Sequence, residues 1–250
     1  MNCLELRSAA AALALSFGLC VNAGCMIAAH ESRVAGNLNV PQSESQSFEL
    51  GEARSASVDL KLSIGHLTLA GGAVKLMEGE FVHEVNRLKP DWSYTVADGE
   101  GRLLIRQVCE NVNNCDKRDR NIWNLRLRND VPLKLKIDFG MGDSHLSLGG
   151  LSLQELNLNT GMGSSTIDLT GEWRGDLKAH IETGLGNVTV RLPRQLGVRV
   201  NVAKGLGRVH SQGMLRSGSA YTNDAYGKSP QSLQIEVNCG MGSVFLELAG

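Results

Sequence analysis

"FGMGDSHLSLGG", residues 139–150, sets a methionine between two glycines in a stretch that otherwise alternates like a β-strand. The device recurs as "TGMG" (160–163), "TGLG" (183–186), "KGLG" (204–207) and "CGMG" (239–242). The central residues Met141, Met162, Leu185, Leu206 and Met241 are spaced by 21, 23, 21 and 35 residues, so one unit has the length of a short solenoid coil. Ahead of each centre the apolar residues alternate, as in Leu133, Leu135, Ile137, Phe139 and again in Leu233, Ile235, Val237, Cys239. Period two over this length means a strand with one buried face.

Behind each centre the phase slips by one residue, to Leu146 and Leu148, Ile167 and Leu169, Val188 and Val190, Val209, then Val244 and Leu246. A slip of one turns the apolar face to water unless a bulge or corner absorbs it. Glycine adopts the backbone angles such corners need, and its missing Cβ lets neighbouring coils stack closely. Gly140 with Gly142, Gly161 with Gly163, Gly184 with Gly186, Gly205 with Gly207 and Gly240 with Gly242 are therefore read as structural corners. The residue between each pair is expected to fill the core. A degenerate sixth copy lies at "SVDLKLSIGHLTLAGG" (57–72), with Ser63 in place of the first glycine. Stacked coils of this kind predict an all-β, single-domain β-solenoid. A β-rich insertion, 73–131, comes after the first coil; its "ADGEG" (97–101) is a hairpin signal.

The chain has 250 residues, a net charge of −1 with both signs interspersed, and no basic block of the kind that binds nucleic acid. The start is different in kind. After Arg7 runs "SAAAALALSFGLCVNAGC", an apolar, small-residue stretch that reads as a secretory signal ending at a lipidation site, with Cys25 the first mature residue. Asn22 departs from the leucine usual three residues before such a cysteine. Cleavage after Ala23 or Ala29 to a soluble secreted or periplasmic protein, or an uncleaved anchor, are the competing readings. The expected organisation is signal peptide 1–24, lipidated cysteine and polar tether 25–47, and solenoid 48–250. All three readings put the body outside the cytoplasm. Cys109 and Cys115 bracket the turn-rich "ENVNN" and are expected to pair there, since that compartment is oxidising; free thiols are the other reading.

"GEARSASVDLKLSIGHLTLAGGAVKLMEGEFVHEVNRLKPDWSYTV" resembles the N-terminal part of bacterial toast-rack domains. "LPRQLGVRVNVAKGLGRV", "YTNDAYG" and "CGMGSVFLEL" are similar to the repeats of those domains and of LiaF-like cell-wall-active-antibiotic-response proteins. The resemblance spans about residues 48–250. It implies a β-solenoid with an elaborated first section and a non-catalytic role at the cell envelope. LiaF-like proteins restrain an envelope-stress sensor kinase, but carry several transmembrane helices ahead of the solenoid, which this chain does not show.

Chemistry-bearing motifs fail one by one. The Gly-x-Gly series lacks the third glycine and the helix that a dinucleotide site needs. "HEVNR" (83–87) has Arg87 where a zinc protease needs its second histidine. His145 and His210 face outward, separated by threonine-bearing coils, so no metal site is expected. No G-x-S-x-G occurs. No cofactor is expected, and the chain is read as non-enzymatic: an envelope protein that binds a protein partner or cell-wall component, or takes part in stress sensing. An adhesin-like or glycan-binding solenoid is the second reading. The long interval before the last copy, "LRSGSAYTNDAYGKSPQ" (215–231), is a loop that either covers the solenoid end or carries contacts. Its Tyr221 and Tyr226 are the candidate partner surface. Cys239 is expected inside, unpaired, and Lys204, in the same column, near an open end.

Overall fold

The computed structural model describes residues 41–84, 88–107 and 120–249, all within the compact unit Asn39–Gly250. The described residues form strands and turns, with a single 3₁₀ position at Leu88. Six strands precede the regular coils: β1 (Gln42–Phe48), β2 (Ser55–Gly71), β3 (Met77–His83), β4 (Asp91–Ala97), β5 (Glu100–Gln107) and β6 (Asn121–Leu127). The coils and their interruption come next: β7 (Leu133–Ser147), β8 (Leu153–Met162), β9 (Ser165–Asp168), β10 (Leu177–Leu185), β11 (Val188–Pro193), β12 (Gly197–Leu206), β13 (Val209–Gln212), β14 (Leu215–Ser217), β15 (Ala220–Thr222), β16 (Ser232–Met241) and β17 (Val244–Ala249).

Each coil has two arms joined at its Gly-x-Gly corner. β2 and β7 run through the corner as single bent strands; the later coils break there into β8/β9, β10/β11, β12/β13 and β16/β17. Like arms stack in parallel, so two layers form. One layer reads β4, β5, first arm of β2, first arm of β7, β8, β10, β16, β12, β15, β14. The other reads β1, β3, β6, second arm of β2, second arm of β7, β9, β11, β17, β13. The insertion is β as expected: β4 and β5 meet at Asp98-Gly99, whose φ values of 54° and 77° suit a two-residue hairpin turn.

The coils do not stack in sequence order. The last coil, β16/β17, lies between β10/β11 and β12/β13, pairing with both. The reading of coils as successive neighbours is corrected on this point. The 215–231 segment makes it possible, because its length lets the chain pass around β12/β13 and return.

Alternation along the arms fills the core. Leu60, Ile137, Leu158, Ile181, Val237 and Val200 occupy inward positions of the paired arms and are all buried. At about 25 cal/mol per Å² of apolar surface, each such side chain contributes ~1.5–3 kcal/mol of burial free energy. On the second arm the column Leu69, Leu146, Ile167, Val190, Leu246 ends at exposed Ser211, so the core gives way to polar residues where the stack stops. Lys204 closes the Thr183–Cys239 column the same way and is exposed in the terminal coil.

Candidate functional site

The corners are built by two glycines that serve different ends. The second glycine of each pair, Gly142, Gly163, Gly186, Gly207 and Gly242, has φ between 133° and 149°, a region L side chains rarely enter. Gly65 of the degenerate copy shares it at 144°. The first glycine has no such angle. A Cβ on Gly161 would overlap the Gly140 carbonyl oxygen, one on Gly184 would lie 2.7 Å from that of Gly161, and one on Gly240 2.6 Å from that of Gly184. Close stacking of backbone on backbone excludes a side chain there. Gly140 and Gly205 face Ser63 and Gly240 in the same manner.

The residue between the glycines does not fill the core, contrary to the reading from alternation. Met162, Leu185, Met241 and Leu206 are 40%, 45%, 50% and 68% exposed, and Met141 is half-buried. The chain turns at this residue, so the inward sequence passes from Phe139 directly to Ser144. The centre is left on the outside of the bend. Ser144 and Ser165 are the buried partners of Leu67 and Val188 in one column, joined by a 2.9 Å hydroxyl hydrogen bond. Their polarity hid them from an apolar pattern. Ladder pairing aligns Met141, Met162, Leu185, Met241 and Leu206 in one row along the corner. Rungs about 4.8 Å apart make the four well-exposed members a strip ~15 Å long. Glycine on both sides leaves the strip standing clear of its surroundings.

The 215–231 segment divides its two tyrosines. Tyr221 is 3% exposed and packs in the core with Arg216 over its ring at 5.6 Å, so its reading as a partner surface is corrected. β15 pairs antiparallel with β12 and inserts that ring over the end of the first layer. Asn223 fixes the turn beyond β15: its Oδ1 accepts from Val198 N at 3.0 Å, while Nδ2 donates to the carbonyls of Leu196, Arg194 and Pro193. Tyr226, held by a turn onto the Asn223 carbonyl, is half-buried at the wall of a groove on the outer face of the first layer. The groove floor carries Lys178, Gln234 and Arg199 from β10, β16 and β12. No sequence signal pointed to these three, because they come from coils whose adjacency depends on the misordered stack.

Cys239 is 3% exposed with no disulfide partner, and its burial pushes the thiol pKa up. Cys25, Cys109 and Cys115, with the lipidation and the pairing expected of them, lie outside the described residues. His145 is flanked on the ladder by Thr68 and Thr166, while His210 stacks on Phe245 with centroids 4.9 Å apart. Among the described residues no three His, Cys, Asp or Glu side chains gather as metal ligands, and no helix is long and apolar enough to cross a membrane.

The chain matches the N-terminal domain of toast-rack proteins over residues 37–191 and the C-terminal domain of LiaF, cell wall-active antibiotics response, over 140–246. A crystal structure of a candidate cell adhesion protein from Clostridium sporogenes is 32% identical, with a TM-score of 0.82 over 84% of this chain and 100% of that one. A candidate adhesin from Bacteroides fragilis aligns over 83% of this chain and 97% of its own at 11% identity, but with a TM-score of 0.27. No curated protein matches. The first model alone spans more than half of the sequence, and the Clostridium relative is covered end to end: the chain belongs to the toast-rack family.

Proposed function

We propose that this chain is a non-enzymatic, extracytoplasmic protein of the bacterial cell envelope, tethered by lipid on Cys25, whose corner strip docks a protein partner. The observation that carries the reading is the row Met162, Leu185, Met241, Leu206, four large apolar side chains aligned and 40–68% exposed. Single apolar residues on a surface need no explanation, but an aligned strip of them marks a contact surface. The match to a domain named for the response to cell wall-active antibiotics supports a role in the response to cell-envelope stress.

The test pairs two substitutions with a photo-crosslinker. Leu185→Asp with Met241→Asp should leave the thermal midpoint within about 3 °C of wild type, since both side chains are already half in water. A crosslinker at Leu206 should yield a discrete protein adduct in cells, and the double substitution should abolish it. A crosslinker at Lys136, on the outer face away from the strip, should give none. Equal adducts from both positions would sink the docking reading. Fatty-acid labelling that persists in Cys25→Ala would sink the tether separately.

A further inference from the structure

We infer that the groove beneath Tyr226 is a binding site for an acidic saccharide, independent of the corner strip, with which it shares no residue. The groove encloses about 480 Å³, within the range of small-ligand sites. Two rows cross its floor: Glu155, Lys178, Gln234, Arg199 and, beside them, Asn157, His180, Glu236, Asn201. At one rung per ~4.8 Å, Lys178 and Arg199 stand ~10 Å apart with the Gln234 amide between them.

Charge pairing shows which of its groups are left without partners. Several cations on the outer faces meet carboxylates: Lys61 with Asp59 at 3.6 Å, Lys136 with Asp138 at 3.3 Å, Arg191 with Asp168 and Glu247 at 3.9 and 3.4 Å. The groove lining holds two carboxylates and two permanent cations, with Glu155 one rung from Lys178, yet no carboxylate among the described residues comes within ion-pair distance of either cation. Glu155 accepts from Asn157 at 2.8 Å, and Glu236 lies 3.5 Å from His180. Lys178 and Arg199 have no ion pair or side-chain hydrogen bond among the described residues, and neither do the Gln234 and Asn201 amides or the Tyr226 hydroxyl. The groove therefore offers two free cations, two amides that both donate and accept, and one aromatic wall. Arg199 suits a carboxylate taken through two parallel hydrogen bonds. The amides suit vicinal hydroxyls, and the Tyr226 ring suits the C–H face of a pyranose. A simple acidic peptide would satisfy the cations but leave the amides and the ring without a role. One ligand class uses all five: sugar rings carrying a carboxylate.

Isothermal titration of the full-length chain in detergent tests this with trigalacturonate and a hyaluronan tetrasaccharide, against maltotriose and tetraglutamate. At least one acidic saccharide should bind with Kd below about 1 mM, roughly tenfold tighter than either control. Arg199→Gln and Tyr226→Ala should each weaken it about tenfold at an unchanged thermal midpoint, while Tyr226→Phe, which keeps the ring, stays within about threefold. If Tyr226→Ala melts early, Arg199→Gln and Lys178→Gln carry the test, since both side chains are exposed. No binding of either acidic saccharide at about 10 mM overturns the inference. Equal binding of tetraglutamate overturns it in favour of a peptide site. Binding untouched by Tyr226→Ala in a folded protein reduces it to counter-ion attraction and overturns it too.

Discussion

Gly161 and Gly163 stand two residues apart and are glycine for different reasons. Gly163 has a φ of 133°, and any Cβ there would also overlap the Gly142 carbonyl. Gly163→Ala should therefore lower the free energy of unfolding by about 3 kcal/mol or more, the sum of backbone strain and a backbone clash that no rotamer relieves. Ser164→Ala, one residue on and exposed, should change it by less than about 0.5 kcal/mol. Urea titrations of both variants decide this, and similar losses would refute the corner geometry. Cys239 makes a different point. Burial disfavours its thiolate, so its pKa in the folded chain lies above the unfolded value. Its contribution is complete below the ordinary thiol range near about pH 8.5 and is lost as pH rises through the raised folded value. Stability measured from about pH 7 to 10 should fall more steeply in wild type than in Cys239→Ala. Parallel curves would show that the thiol titrates freely.

At the scale of elements, the β14–β15 hairpin and the turn after it close one end of the first layer. Asn223 satisfies Val198 N and reaches the carbonyls of Pro193, Arg194 and Leu196 with a single amide. Asn223→Ala leaves those groups unpaired in a buried setting and should cost about 2–4 kcal/mol. Replacing 216–229 with a short Gly-Ser linker removes Tyr221 as well and should lower the thermal midpoint by roughly 10 °C or more. Calorimetry on the two variants checks both figures, and an unchanged midpoint would show the segment to be ornamental to stability. The second layer has no such cover: β13 pairs only with β17 among the described strands, and its end is wetted by Ser211 and Gln212. Polar residues at an open edge oppose strand addition by other chains.

For the whole molecule, the place of the last coil matters most. An ordinary solenoid loses a terminal repeat at the cost of one interface, because each repeat touches only its neighbours. Here β16/β17 supplies the middle of the stack, and both neighbouring coils depend on it. A chain ended at Gln231 should lose protection in β12/β13 as well as exposing β10/β11. Hydrogen exchange should then show amides of 198–212 exchanging at rates of an unfolded chain. Retained protection there would mean that β12/β13 can dock directly on β10/β11. The same insertion builds the groove, since Gln234 and Glu236 enter between Lys178 with His180 and Arg199 with Asn201.

Alternation and the Gly-x-Gly series by themselves determined the β-solenoid, the inward face of the first arms, the coil boundaries and the buried position of Cys239. These are local properties: a period of two and a positive φ are written in adjacent residues. Three things were decided only by tertiary structure. Met162 and Leu185 continue the inward phase on paper, yet the bend leaves them outside, because which side of a corner a residue takes depends on where the next arm packs. Tyr221 and Tyr226 look alike in a polar loop, but antiparallel pairing of β15 with β12 drives one into the core and leaves the other at the groove. The order of the coils is non-local altogether. Parallel ladders accept any coil with matching columns, and only the length of the 215–231 passage and the burial gained on both sides select the position of the last.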